Sequence, residues 1–135
     1  MAEELLVEIV TPEEMVFSDT VEMVTIPGGD GEFGVLYGHA PVLSTVKIGE
    51  LNITKGNRKT YYAVGKGYAE VTAKKVTLLL EKVVKASQID KERARRELSE
   101  AEADLSRMTK EDVGFQEVSE RLSMAEAKLK AADKA

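Results

Sequence analysis

The chain of 135 residues has no cysteine, no tryptophan, a single histidine, three prolines and only 5% aromatics. Without a thiol there is no disulfide scaffold, no thiolate nucleophile and no cysteine-ligated metal. The lone imidazole, His39, cannot build a two-histidine metal site or a Ser/His/Asp set. No apolar run approaches the length that spans a bilayer, so a membrane link is expected only through another protein. The opening Met1-Ala2-Glu3-Glu4 lacks the charged and apolar regions of a signal peptide, so a cytoplasmic setting is expected. A basic run is also missing. Lys and Arg number 19 against 24 Asp and Glu, a net charge of −5, which makes nucleic acid and anionic lipid poor partners. Hydrophobic residues, at 43%, suffice for one mostly aliphatic core with or without an appendage.

What is present divides the chain near residue 86. Residues 1–86 hold nine of the ten glycines, all three prolines and six of the seven aromatics. Residues 87–135 are rich in Ala, Glu, Lys, Arg, Leu and Ser. That order predicts strands and turns followed by helix. Leu5, Val7 and Ile9 alternate as one face of a strand, and Leu51 and Ile53 alternate into the turn Lys55-Gly56-Asn57-Arg58. Thr60–Val64 is the return strand. Gly67–Val71 and Val76–Leu80 make a second hairpin across Ala73-Lys74-Lys75. Short strands at this spacing predict a β-sandwich or barrel.

The second half changes to helical period. Ala94, Leu98, Ala101, Leu105 and Met108 form one narrow apolar seam; Phe115, Val118, Leu122, Ala125, Leu129 and Ala132 form another. The intervening Thr109–Gly114 is long enough only to reverse direction, so the two helices pair antiparallel as a hairpin. Thr109 with Asp112 predicts a capping box for the second helix, and Ser87 with Asp90 predicts the start of the first. The pairs Glu92–Arg96, Arg93–Glu97 and Arg96–Glu100 have the spacing of ion pairs along one helix face. Seams made partly of alanine bury little apolar surface, so the hairpin can be marginal and open toward a partner with a better surface; the pattern alone also admits, and favours, a permanently docked coiled coil.

Ile26–Pro41 carries five glycines and two prolines in sixteen residues. This is a backbone-defined turn system with Phe33, Val35 and Leu36 embedded in it. Asp30 and Glu32 are read as solvated or partner-facing acids. Gly29-x-Gly31-x-x-Gly34 has the bare dinucleotide spacing but no βαβ unit around it, and Gly65-Lys66-Gly67 lacks the hydroxyl residue of a phosphate loop. No catalytic constellation emerges.

The Ile26–Pro41 segment resembles the signature loop of the epsilon subunits of F-type ATP synthases. Lys47-Ile48-Gly49-Glu50-Leu51, Ala63–Val71 and Ile89-Asp90-Lys91-Glu92-Arg93-Ala94 extend the resemblance in family order. It implies a ten-stranded β-sandwich over 1–86 and a two-helix hairpin over 87–135. It implies a noncatalytic rotor subunit of the central stalk, peripheral on the cytoplasmic face of the bacterial inner membrane. Such a subunit couples ring rotation to ATP synthesis and inhibits ATP hydrolysis through its C-terminal helices. The implied partners are the gamma subunit, the c-ring and the alpha/beta catalytic head. Gly31, Glu32, Tyr37 and His39 match the loop that faces ring and gamma. Arg93, Arg96 and Arg121 are the matching basic residues of the inhibitory hairpin. Ile89, Asp90, Arg93 and Ala94 match a motif that binds regulatory ATP in some bacterial members. The acidic residue expected six positions earlier is Val84, and Glu100 stands where a first-helix arginine falls. From the residues alone, a freestanding β-sandwich binding module that dimerises through its hairpin remains the alternative.

Overall fold

A computed structural model describes residues 4–135. Met1, Ala2 and Glu3, read above for targeting, lie outside the described residues. Ten strands come first: β1 Leu5–Val10, β2 Met15–Val21, β3 Met23–Gly28, β4 Gly31–Leu36, β5 Val42–Val46, β6 Gly49–Lys55, β7 Arg58–Val64, β8 Gly67–Val71, β9 Lys75–Leu80 and β10 Val83–Lys85. A 3-10 turn at Ala86–Gln88 leads to α1 Lys91–Ser106 and α2 Phe115–Ala132. The expected sandwich followed by two helices is the architecture found.

The strand order is β10-β7-β6-β3-β5-β8-β9-β1-β2, with β4 paired to β3. All pairings are antiparallel except β1 with β9. Curled on itself, this sheet encloses one core. Leu5, Val7 and Ile9 have no exposure, as their alternation requires, and meet Ile26, Leu51 and Leu78 inside. The β6–β7 turn places its positive φ, +63°, on Gly56, where a side chain would be strained.

The glycine-rich segment is more regular than its composition predicts. Ile26–Gly28 completes β3, the chain reverses at Gly31 with φ +131°, and β4 pairs back along β3. Val35 is buried and Phe33 packs on the core, but Leu36 is 56% exposed.

Three local expectations are corrected. Asp90, not Ser87, caps α1: its carboxylate accepts the Arg93 backbone N–H at 3.1 Å. Ser87 lies in the 3-10 turn. Thr109 and Asp112 close a turn of their own, with the Thr109 N–H donating to the Asp112 carboxylate at 2.9 Å; α2 starts later, behind left-handed Gly114. Met108 falls past the end of α1.

The helices do pair antiparallel, and three ion pairs cross between them, whereas locally Asp104 meets Arg107 at 3.7 Å at the end of α1. Glu97 meets Lys128 at 3.2 Å, Asp104 meets Arg121 at 3.3 Å and Lys91 meets Asp133 at 3.5 Å. Among the described residues, none of the three pairs expected along α1 forms. Ala94, Ala101 and Ala125 are buried in the seam, whereas Leu98, Leu105 and Leu122 are half-buried. α2 has a second face that its seam did not reveal. Met124, Ala127 and Ala131 pack on the outside of the sheet against Ala63 and Ala86.

Candidate functional site

The residues matched to the ring-facing loop do not form one spot. Gly31 and Glu32 begin β4; Tyr37 and His39 follow its end. At roughly 3.4 Å per residue, the length of β4 separates the two pairs by about 17 Å. Glu32 lines a cavity of about 410 Å³ beneath α2, together with Lys47, Glu50, Glu126 and Lys130. At the other end, the Gly38 N–H donates to the Ala73 carbonyl at 2.6 Å, which holds the turn against the β8–β9 hairpin. His39 Nδ1 lies 2.7 Å from the Ala40 carbonyl. Its imidazole thus serves a local hydrogen bond.

Ile89 and Asp90 lead into α1, and Arg93 and Ala94 lie in its first turn. Ile89 packs on the sheet-facing cluster, Asp90 caps the helix and Ala94 is buried. The Arg93 and Arg96 side chains are exposed, while Arg121 is held by Asp104. Arg121 lines a crevice of about 430 Å³ between hairpin and sandwich, and Arg93 and Arg96 do not. Glu81, Glu97, Glu100, Glu117 and Glu120 line that crevice against Lys82, Arg121 and Lys128. Such a lining opposes a triphosphate.

Sequence reasoning missed an exposed apolar face of the sheet. The register aligns Thr45, Tyr68, Leu79, Val10 and Met15 across β5, β8, β9, β1 and β2 on the outer face. Tyr68 is 58% exposed, Leu79 53% and Met15 53%; Leu43, two residues from Thr45 on the same face, is 74% exposed. A cavity of about 670 Å³ beside the row is lined by Val10, Pro12, Thr45, Tyr68 and Leu79. A row of exposed large apolar side chains marks a contact surface. The signal was in Val76-Thr77-Leu78-Leu79-Leu80. Apolar residues in both phases of a strand mean that both faces are covered.

One ion pair ties the hairpin to this end of the sandwich. Lys66 Nζ lies 2.7 Å from the Glu120 carboxylate, which also accepts from Gln116. The hydrogen bond from Lys66, then that from Gln116, holds the Glu120 carboxyl below its usual range; the same bond raises Lys66.

Comparison with known proteins bears on what such a surface meets. Residues 4–86 match the family described as ATP synthase, Delta/Epsilon chain, beta-sandwich domain, and residues 87–133 match its long alpha-helix domain. The chain belongs to the ATP synthase delta/epsilon family. A curated relative, the ATP synthase epsilon chain of Geotalea uraniireducens, is 44% identical over all of this chain and 98% of its own length. A chain in the Euglena gracilis mitochondrial ATP synthase structure of OSCP, F1 and c-ring superposes with a TM-score of 0.82 at 25% identity, covering 98% of this chain and 82% of that one. The fold also matches a chain of the Tetrahymena thermophila mitochondrial ATP synthase central stalk and c-ring, with a TM-score of 0.60 at 14% identity over 97% and 98% of the two chains. Epsilon chains in this family are noncatalytic stalk subunits of the synthase, in line with the reading of a chain without enzymatic machinery. Among the described residues, no helix is long and apolar enough to cross a membrane.

Proposed function

We propose that this chain is a rotor subunit that couples rotation of the c-ring to ATP synthesis and restrains ATP hydrolysis through its hairpin. The observation that carries the reading is the exposed row Leu43, Tyr68, Leu79 and Met15, an apolar face of the sheet that this chain leaves uncovered. We assign that face to the gamma subunit. The end of the sandwich at Gly31 and Glu32 is assigned to the c-ring, with Tyr37 and His39 directed to the gamma side. The hairpin, docked here by an alanine interface, is the part that leaves the sandwich for the alpha/beta catalytic head. There Arg93, Arg96 and Arg121 supply positive charge; of the three, only Arg121 must first give up a partner, Asp104. In a bacterial cell the complex would hold the chain at the cytoplasmic face of the inner membrane.

The freestanding dimer reading has less support. Apart from Val113, the hairpin shows no exposed large apolar residue among the described residues, so its apolar faces are already spent within the chain.

The test is ATP hydrolysis by catalytic heads stripped of this subunit, with add-back of the full chain or of residues 1–86. Inhibition by the full chain alone supports the reading. Equal effects of both would make the hairpin a structural appendage. No effect and no binding to gamma would overturn the assignment, as would retained gamma binding by Tyr68→Glu with Leu79→Glu.

A further inference from the structure

Glu50 is the one buried charged residue among the described residues. It stands on β6 opposite Ala63 of β7, and cross-strand partners share a face. Ala63 lies beneath α2, so the carboxylate sits in the interface between sandwich and hairpin. Its side chain is 6% exposed. Oε1 accepts from Lys134 Nζ at 2.8 Å; Oε2 is buried with no protein partner. Lys134 lies just past α2, its backbone N–H donating to the Ala131 carbonyl at 3.1 Å. Its ammonium also stands 5.4 Å from the centre of the Tyr61 ring.

These groups are unequal. The Lys134 side chain is 42% exposed, so without Glu50 it remains hydrated. Without Lys134, docking would bury Glu50 as an unpaired charge, and that is strongly unfavourable. The surrounding contacts are small: Met124, Ala127 and Ala131 against Ala63 and Ala86, with little apolar gain to offset such a charge. With the hairpin away, Glu50 returns to water at no cost.

We propose that Glu50 and Lys134 form a latch that makes docking of the hairpin conditional on a cation at the end of α2. The carboxylate acts as a gate. It rejects a hairpin that arrives out of register, and it turns loss of the Lys134 charge, by substitution or by acylation of the amine, into release. The latch rests on the reading of the hairpin as a mobile element, and the experiment separates the two.

The chain has no cysteine, so Ala127→Cys gives the full chain a sole thiol in the interface. Its modification rate by a small thiol reagent reports opening even when the open state is rare. Lys134→Ala is expected to raise that rate on the order of a hundredfold, because it strands the carboxylate. Glu50→Gln alone is expected to change it by no more than about threefold, since no charge is then buried. Adding Glu50→Gln to Lys134→Ala should restore the slow rate. Met124→Glu serves as a control that disrupts the interface by other means. If this control opens the interface and Lys134→Ala does not, the latch is wrong and the mobile hairpin stands. If Lys134→Ala opens it and Glu50→Gln fails to restore it, the pairing with Glu50 is wrong. If the thiol reacts only at the rate of global unfolding in every variant, the hairpin does not undock separately, and the mobile-hairpin reading falls.

Discussion

The sandwich and the hairpin are both buried against apolar surface, but they are built of different material. Inside the sandwich, Leu5, Ile9, Ile26, Leu51 and Leu78 are fully enclosed. In and under the hairpin the buried residues are alanines, Ala86, Ala94, Ala101, Ala125, Ala127, Ala131 and Ala132, with Met124 the one larger side chain among the described residues. At about 0.8 kcal/mol per buried CH₂, each leucine in the first set secures roughly 2 kcal/mol more than each alanine in the second. The sandwich is therefore held chiefly by packing, with ion pairs such as Lys55–Asp19 and Lys75–Glu8 only at its surface. The hairpin relies on a thin apolar seam supplemented by ion pairs, including Lys66–Glu120 and Lys134–Glu50. That contrast fits the roles proposed above, a stable platform and an attachment that leaves it.

The largest effects are expected where this contrast is sharpest. Leu51→Ala or Ile9→Ala should cost about 2–5 kcal/mol in denaturant unfolding, with loss of sandwich and hairpin together. The core cluster draws its members from Leu5 to Val83 and none from the helices. Residues 1–86 should therefore fold alone and give a β circular-dichroism spectrum. An unfolded spectrum would break the comparison outright. Gly67→Ala should cost about 1–3 kcal/mol, because its Cβ would collide with the Leu79 backbone carbonyl of the neighbouring strand.

Substitutions in the hairpin should be smaller and should leave the sandwich standing. Leu98 and Leu122 are only half-buried, so truncation to Ala should cost about 1–2 kcal/mol, below the range for a filled core. The expected readout is faster proteolysis of the link at residues 82–90 with an unchanged sandwich transition. A cost equal to that of Ile9→Ala would mean that the two regions form one cooperative unit.

The two regions also differed in how much their sequences disclosed. Leu5, Val7 and Ile9 announce a strand because large side chains at period two mark one buried face. Gly56 announces its turn because few other residues take that φ. The helices were legible through their seams, but the sheet-facing side of α2 was not. Ala127 and Ala131 carry no local mark of burial, since alanine is both a core residue and a good helix former. The ion pairs followed the same limit. Spacing shows which charges share a helix, yet Glu97 and Asp104 found cations on α2, whose position depends on tertiary packing. Neither Asp90 over Ser87 as the cap nor burial of Glu50 could be read locally. The first depends on where the 3-10 turn ends, the second on what lies over β6. The apolar row from Thr45 to Met15 was written in five strands and visible only once their register was known.

Acid should separate the regions by the smallest margin. Each region has an ion-paired carboxylate held below its usual value. Glu120 is held below 4.5, first by its hydrogen bond from Lys66. Asp19 is held below 3.8, first by its hydrogen bond from Lys55 across β2 and β6. A depressed carboxyl contributes stability that is complete above its unfolded value and is lost as pH falls through its folded value. The Glu120 contribution therefore starts to fade beneath pH 4.5 and the Asp19 contribution only beneath 3.8, so hairpin docking should loosen first. Hydrogen exchange in α2 should accelerate in that upper window while β6 stays protected. Glu120→Gln should weaken docking slightly at pH 7 and abolish the acid-dependent step in α2. Persistence of that step in the variant would mean that the Lys66–Glu120 pair does not carry the acid response.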